Sequence, residues 1–299
     1  MVTEMQQTVE EFKSLTMTPA SSWTSLSEGA TTWETFVDEY LPGDTEQVKL
    51  LLDSAWRDPV VELVALIPFF WPHIVTYWLE RNHRFPKTLI ELLQYSLCKH
   101  FAKQTGTVSE QESASFSETI NESLLQLGSK GLDSILGSNC REIELTADER
   151  KSLDPTVFGL LKLTETKRYT YVNTFLHDFC VALNIKDTLD SRTDEAVLQQ
   201  LVQNAGRMPL VCFFTSVLLG DRAGDFLSAL AKGGVFSSPF QKVETCLIAL
   251  AETRHVQSLY PCIESVFDGG VLDVSSESVL SLLFSSAAIR FINQSRVVQ

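Results

Sequence analysis

Residues 158–183, FGLLKLTETKRYTYVNTFLHDFCVAL, decide how the chain is read, because two periodicities meet in them. Phe158, Leu160 and Leu161 close an apolar segment, and Thr164 to Arg168 form a polar turn. Tyr169, Tyr171 and Val172 are the aromatic and β-branched residues that a short strand favours. From Thr174 the period changes: Leu176, Phe179, Cys180 and Leu183 stand at i, i+3, i+4 and i+7 and share one helix face. Asn173 or Thr174 can cap that helix. The segment therefore predicts a two-stranded hairpin feeding directly into an amphipathic helix.

Upstream, Ile120, Leu124, Leu125 and Leu127 mark a helix that Leu132, Ile135 and Leu136 continue past Gly128 and Gly131. Helices followed by a hairpin and a last helix make a winged helix. Residues 119–183 are read as such a domain, with the hairpin as its wing. This region is acidic and shows no Lys or Arg cluster on a recognition helix, which argues against a DNA-reading role.

The rest of the chain is helical in pattern. Residues 1–32 are rich in Ser, Thr and Glu and read as a loose N-terminal tail. Trp33, Phe36, Val37 and Tyr40 open a helical domain over 33–102, and Val48, Leu51, Leu52 and Ala55 give its second helix. Asp58 can cap a third, with Pro59 at its first position. The segment 63–79 is apolar but broken by Pro68, Pro72 and His73, so it reads as a buried helical pair rather than a membrane span. Residues 103–118 form a polar linker, 184–270 a second helical domain, and 271–299 the start of a region resembling leucine-rich repeats. The fold expectation is all-α: helical bundles flanking a winged helix with a short β-wing. The segments 63–70 and 211–219, apolar all round, are expected to be buried.

Composition narrows the function. The 299 residues are 44% hydrophobic and 21% charged, ordinary for a globular protein. A formal charge of -14 disfavours nucleic acid and anionic membranes as partners, since both attract excess Lys and Arg. The six cysteines lie far apart with no CxxC pair, the pattern of buried free thiols in a reducing compartment. Glu4, Glu10 and Glu11 stand where a secretory signal would be basic and then apolar, so a cytoplasmic location is expected.

Several phrases resemble the NLR group of NACHT-containing, nucleotide-regulated immune receptors. That family's winged helix ends in a pattern like FxHxxxQEFLAA, and here the run is Tyr171 to Ala182, YVNTFLHDFCVA. Phe179 and Ala182 keep the pattern, His177 and Asp178 take the Gln and Glu positions, and Asn173 stands where the family has its histidine. Leu63, Val64, Ile67, Pro68, Phe70 and Trp71 match the family phrase LVxIPxFCW. Phe85, Pro86, Lys87, Thr88, Leu89, Glu91, Leu92 and Leu97 match LPKTLTELYxxFL. The resemblance spans about Trp33 to Ile292. It implies a first helical domain, a winged helix, a second helical domain and the opening of the repeats. It also implies two nucleotide-contacting positions, Pro68 against adenine and Asn173 near the β-phosphate of ADP. The structural alternatives are a helix break at Pro68 and a helix cap at Asn173.

No GxxxxGK[ST] phosphate loop, HExxH, CxxC or GxSxG is present in residues 1–299. By the resemblance, the Walker A and Walker B segments would precede residue 1 and the sensing repeats would follow residue 299, making this a truncated or fragmentary product. The expectation is a non-catalytic regulatory portion of a receptor, with no cofactor of its own. ADP or ATP would be bound only if it were joined to a NACHT core, and its partners would be an NLR-type oligomer or signalling adaptors. The alternative is a stand-alone all-α interaction module, an adaptor or a decoy. His177 and Asp178, as neighbours about 100° apart on a helix, are not expected to form a catalytic dyad by adjacency, and a structural polar pair is expected instead.

Overall fold

The computed structural model describes residues 32–55, 58, 61, 70–105, 116–138, 140–191, 195–204, 208–232, 249, 252 and 253. They are mostly helical, with one small three-stranded sheet. The chain divides into two compact units, residues 1–97 and 98–299. Residues 63–69 of the expected helical pair, Pro68 among them, and nearly all of 233–299 lie outside the described residues.

In the first unit, α1 (Trp33–Tyr40) starts on Thr32, whose hydroxyl accepts from the Thr35 amide in a reciprocal capping box. Its buried face carries Trp33, Phe36 and Val37. The helix α2 (Thr45–Ala55) buries Val48, Leu51 and Ala55. Next comes α3 (Trp71–Glu80), which has Pro72 in its first turn, where a missing amide hydrogen costs nothing. The ring of Trp71 meets Phe36 at 5.4 Å and Trp33 edge-on at 6.2 Å, and Tyr40 Oη lies 2.9 Å from Thr76 Oγ1. Thr88 caps α4 (Leu89–Thr105) by accepting from the Glu91 amide at 3.1 Å.

The second unit is built on α5 (Glu118–Ser138), one unbroken helix through Gly128 and Gly131. After β1 (Glu142–Ile143) comes α6 (Ala147–Ser152), which is capped by Thr146 and Glu149, with Lys130 of α5 2.6 Å from Glu149. A 3-10 turn (Pro155–Leu160) leads into β2 (Leu161–Leu163), the turn Thr164 to Arg168, and β3 (Tyr169–Tyr171). The sheet is antiparallel in the order β1-β3-β2, so the hairpin is not the expected two-stranded wing but carries a third strand. That strand is two residues long and shows no alternation that a sequence pattern could reveal.

The helix α7 (Thr174–Ser191) starts where the periodicity changed and runs through Leu183 to Ser191. It packs against α5 and against α9 (Pro209–Leu218). The rings of Phe175 and Phe179 meet Phe214 of α9 at 6.3 and 5.8 Å. Arg222 closes the far end of α7, donating to the Leu189 carbonyl and to Asp190 at 3.2 and 2.8 Å; a cation there complements the helix dipole. The remaining helices are α8 (Glu195–Asn204) and α10 (Ala223–Lys232). Within 211–219 every residue is buried except Val217 and Leu218, which are half-buried. Phe70 is buried, and residues 63–69 lie outside the described residues.

Glycine sets how closely α5 approaches α7. A Cβ on Gly128 would sit 2.1 Å from the Cys180 carbonyl oxygen, and one on Gly131 2.8 Å from Val181 Cγ2 and 3.0 Å from His177 Nε2. Gly137, near the end of the same helix, faces open space. Gly128→Ala should therefore cost about 2 kcal/mol or more in urea denaturation, because the clash is with backbone and cannot be relieved by a rotamer change. Gly137→Ala should instead add about 0.5 to 1 kcal/mol by restoring helix propensity.

Candidate functional site

Asn173 sits between β3 and α7 and is buried. Its Oδ1 accepts from the Phe175 amide at 2.7 Å, and its carbonyl accepts from the His177 amide, so it is the N-cap. Its Nδ2 donates to no group among the described residues. Both cap geometry and position follow from the local sequence, since β3 ends one turn before the apolar stripe begins.

One turn into α7 lies a buried polar cluster. Asp178 is fully buried, and Arg141 reaches it from the loop before β1 with Nε at 3.2 Å from Oδ1 and Nη2 at 3.1 Å from Oδ2. This two-point pairing offsets the cost of burying a carboxylate. His177 Nδ1 lies 2.7 Å from Asp178 Oδ1, so the two neighbours form a buried polar pair. Ser134 of α5 positions Arg141 by donating to the Glu142 carbonyl, and Ser134 and Ser138 lie 3.1 and 3.0 Å from Cys140 Sγ. The serine hydroxyls hold the Cys140 thiol below its ordinary range.

The other side of the cluster is drier. The Tyr171 ring meets His177 edge-on at 5.1 Å, and neither its hydroxyl nor His177 Nε2 has a hydrogen-bond partner among the described residues. Burial raises the Tyr171 hydroxyl well above the usual phenol range, with the Cys180 thiol beside it adding to the effect. Cys180 is itself pushed up to about 12 by burial. Burial, and then the negative charge of Asp178, raise Cys212 of α9 to about 12 as well. These thiols are inert packing groups, as their apolar sequence context implied.

The cluster can brace β1, β3 and α7 against one another; His177 and Asp178 are buried within it, and the Cys140 thiol beside it is half-buried. Among the described residues no group of three His, Cys, Asp or Glu is placed to hold a metal, and no helix is long and apolar enough to cross a membrane. Of the two positions at which the resemblance implies a nucleotide contact, Asn173 occupies the start of α7 and Pro68 lies outside the described residues. The participation of Arg141 was not legible in the sequence, where it stands 37 residues from Asp178 in an unremarkable loop.

The chain matches no family model, no curated protein and no solved structure.

Two outcomes follow from the cluster. Arg141→Met leaves Asp178 buried without its two-point cation partner, which should cost about 3 kcal/mol or more in chemical denaturation, and adding Asp178→Leu should recover part of that loss. The two raised thiols set an alkaline limit. Between an ordinary value near 9 and a folded value of about 12, the unfolded chain binds fewer protons than the folded one. Stability from these groups is therefore complete below about pH 9 and falls as pH rises through that window. Urea midpoints measured from pH 8 to 11 should decline, and the decline should be shallower in a Cys180→Ala, Cys212→Ala double variant.

Proposed function

We propose that this chain is the regulatory, non-catalytic part of an NLR-like, nucleotide-regulated receptor. Residues 119–183 would serve as the winged helix that helps hold the receptor closed. The observation that carries the reading is the start of α7. A short β-hairpin delivers Asn173 to the N-cap of a buried helix, at the position where the resembled family places a histidine toward the β-phosphate of ADP. The cap consumes Oδ1 and leaves Nδ2 as a donor, at a helix end whose amides and dipole favour an anion. Asn carries no charge, so its hold on phosphate is weaker than that of a protonated imidazole.

The chain's own residues supply position rather than chemistry. Phosphoryl transfer needs a phosphate loop and metal ligands, and no such motif occurs in residues 1–299. In this reading the second unit moves as a rigid body when the receptor opens, and the Arg141–Asp178 pair keeps hairpin and helix together during the motion. Partners are then other copies of the receptor or its signalling adaptors.

A fusion that places a NACHT core ahead of residue 33 tests the proposal. The fusion should retain ADP weakly, and Asn173→His should tighten retention by about 1 kcal/mol, roughly fivefold in Kd, because it restores a hydrogen bond from a chargeable group. Equal ADP affinity for the two fusions would leave Asn173 as a helix cap and count against the nucleotide reading.

A further inference from the structure

The hairpin has one edge with no strand beside it among the described residues. In the sheet order β1-β3-β2, β2 is outermost. Its register with β3 pairs Leu161 with Tyr171, Lys162 with Thr170 and Leu163 with Tyr169. The flanking bonds, Val172 amide to Leu160 carbonyl at 2.9 Å and Thr164 amide to Arg168 carbonyl at 2.8 Å, fix which pairs exchange hydrogen bonds. Those are 160 with 172, 162 with 170 and 164 with 168; the alternate residues Leu161 and Leu163 turn their backbone groups away from β3. The Leu161 amide is used by the Phe158 carbonyl in the preceding turn. That leaves the Leu161 carbonyl and both backbone groups of Leu163 on the open edge, with no partner strand among the described residues.

Side chains around this edge are arranged for contact. Leu163 is 59% exposed. It shares a face with its pair partner Tyr169, whose ring lies 6.2 Å from Phe158, and both rings are half-buried. A strip of apolar surface thus continues the buried inner face out to the hairpin tip. The hairpin is also cationic in an acidic chain: Lys162, Lys167 and Arg168 stand against Glu165 alone. Arg168 is held by Glu144 at 3.8 Å, while the ammonium groups of Lys162 and Lys167 have no partner among the described residues.

We propose that the β2 edge is a docking site for an extended, acidic segment of a partner protein, which would add a fourth strand beside Leu163. Main-chain bonds to Leu161 and Leu163 would supply the pairing, an apolar side chain would cover Leu163, and carboxylates would meet Lys162 and Lys167. A second copy of the same edge fits worse, because antiparallel pairing centred on β2 sets Lys162 opposite Lys162. An edge lysine is itself a common guard against such self-pairing. The inference stands on the hairpin alone and holds whether or not the nucleotide reading does.

A fluorescein-labelled octapeptide alternating Glu and Val tests it by anisotropy against the full chain. The peptide should bind, hydrogen exchange at the Leu163 amide should slow on binding, and N-methylation of alternate peptide amides should abolish both effects. The double variant Lys162→Glu, Lys167→Glu should bind about tenfold more weakly, and a peptide alternating Lys and Val should prefer that variant. Circular dichroism of the double variant should match the parent. Absence of binding up to about 1 mM peptide would overturn the proposal, as would equal binding of the N-methylated peptide. A concentration-dependent dimer that protects the Leu163 amide without peptide would overturn it in favour of a second copy.

Discussion

The contact on which the second unit depends is the passage of α5 across α7 at Gly128 and Gly131. With a Cβ at position 128 lying 2.1 Å from the Cys180 carbonyl oxygen, no other residue permits the observed helix separation. That separation seals the far side of the polar cluster. A Cβ on Gly131 would come within 3.0 Å of His177 Nε2, and His177, Tyr171 and Cys180 are all buried. In so dry a setting a carboxylate is tolerable only with a good counter-ion, which is why Arg141 must reach Asp178 at two points. Helix packing and the ion pair are thus one arrangement, and loosening either one removes the reason for the other.

The same constraint explains why the hairpin is rigidly seated at one end and open at the other. Ile143, Tyr171 and Leu160 are buried at its base, where Arg141 and Asn173 tie it to α7. Toward the tip exposure rises, and Lys162 and Lys167 have no ion-pair partner among the described residues. A short strand held at its base keeps its edge ordered without needing a neighbour, and ordered, unpaired backbone groups are what a docking strand uses. Regulation through the start of α7 and recognition through the β2 edge would therefore act on one braced element from its two ends.

Much of this was legible in the sequence wherever the determining physics is local. The i, i+3, i+4, i+7 spacing of Leu176, Phe179, Cys180 and Leu183 marked α7, and the break at Asn173 marked its cap. Thr88 and Asp58 were readable as caps because a cap bonds an amide two or three residues away. The polar run Thr164 to Arg168 showed the hairpin turn for the same reason. Each of these depends on residues within one helical turn of each other.

What only the tertiary structure decided is the set of long-range pairings. Strand β1 is two residues that acquire their identity from β3, with Glu142 paired to Thr170 across 28 positions of chain. Asp178 found Arg141 at a separation of 37 residues, and with that partner in place the neighbouring His177 bonded to it as well. The apolar pattern runs past Gly128 and Gly131 in the sequence, and only the packed structure shows that α7 leaves no room for a Cβ at either. Periodicity states which face of an element is apolar, but not which element will cover it or how near it will come. That choice rests on shape and charge meeting across the fold, and it appears only once the chain has closed on itself.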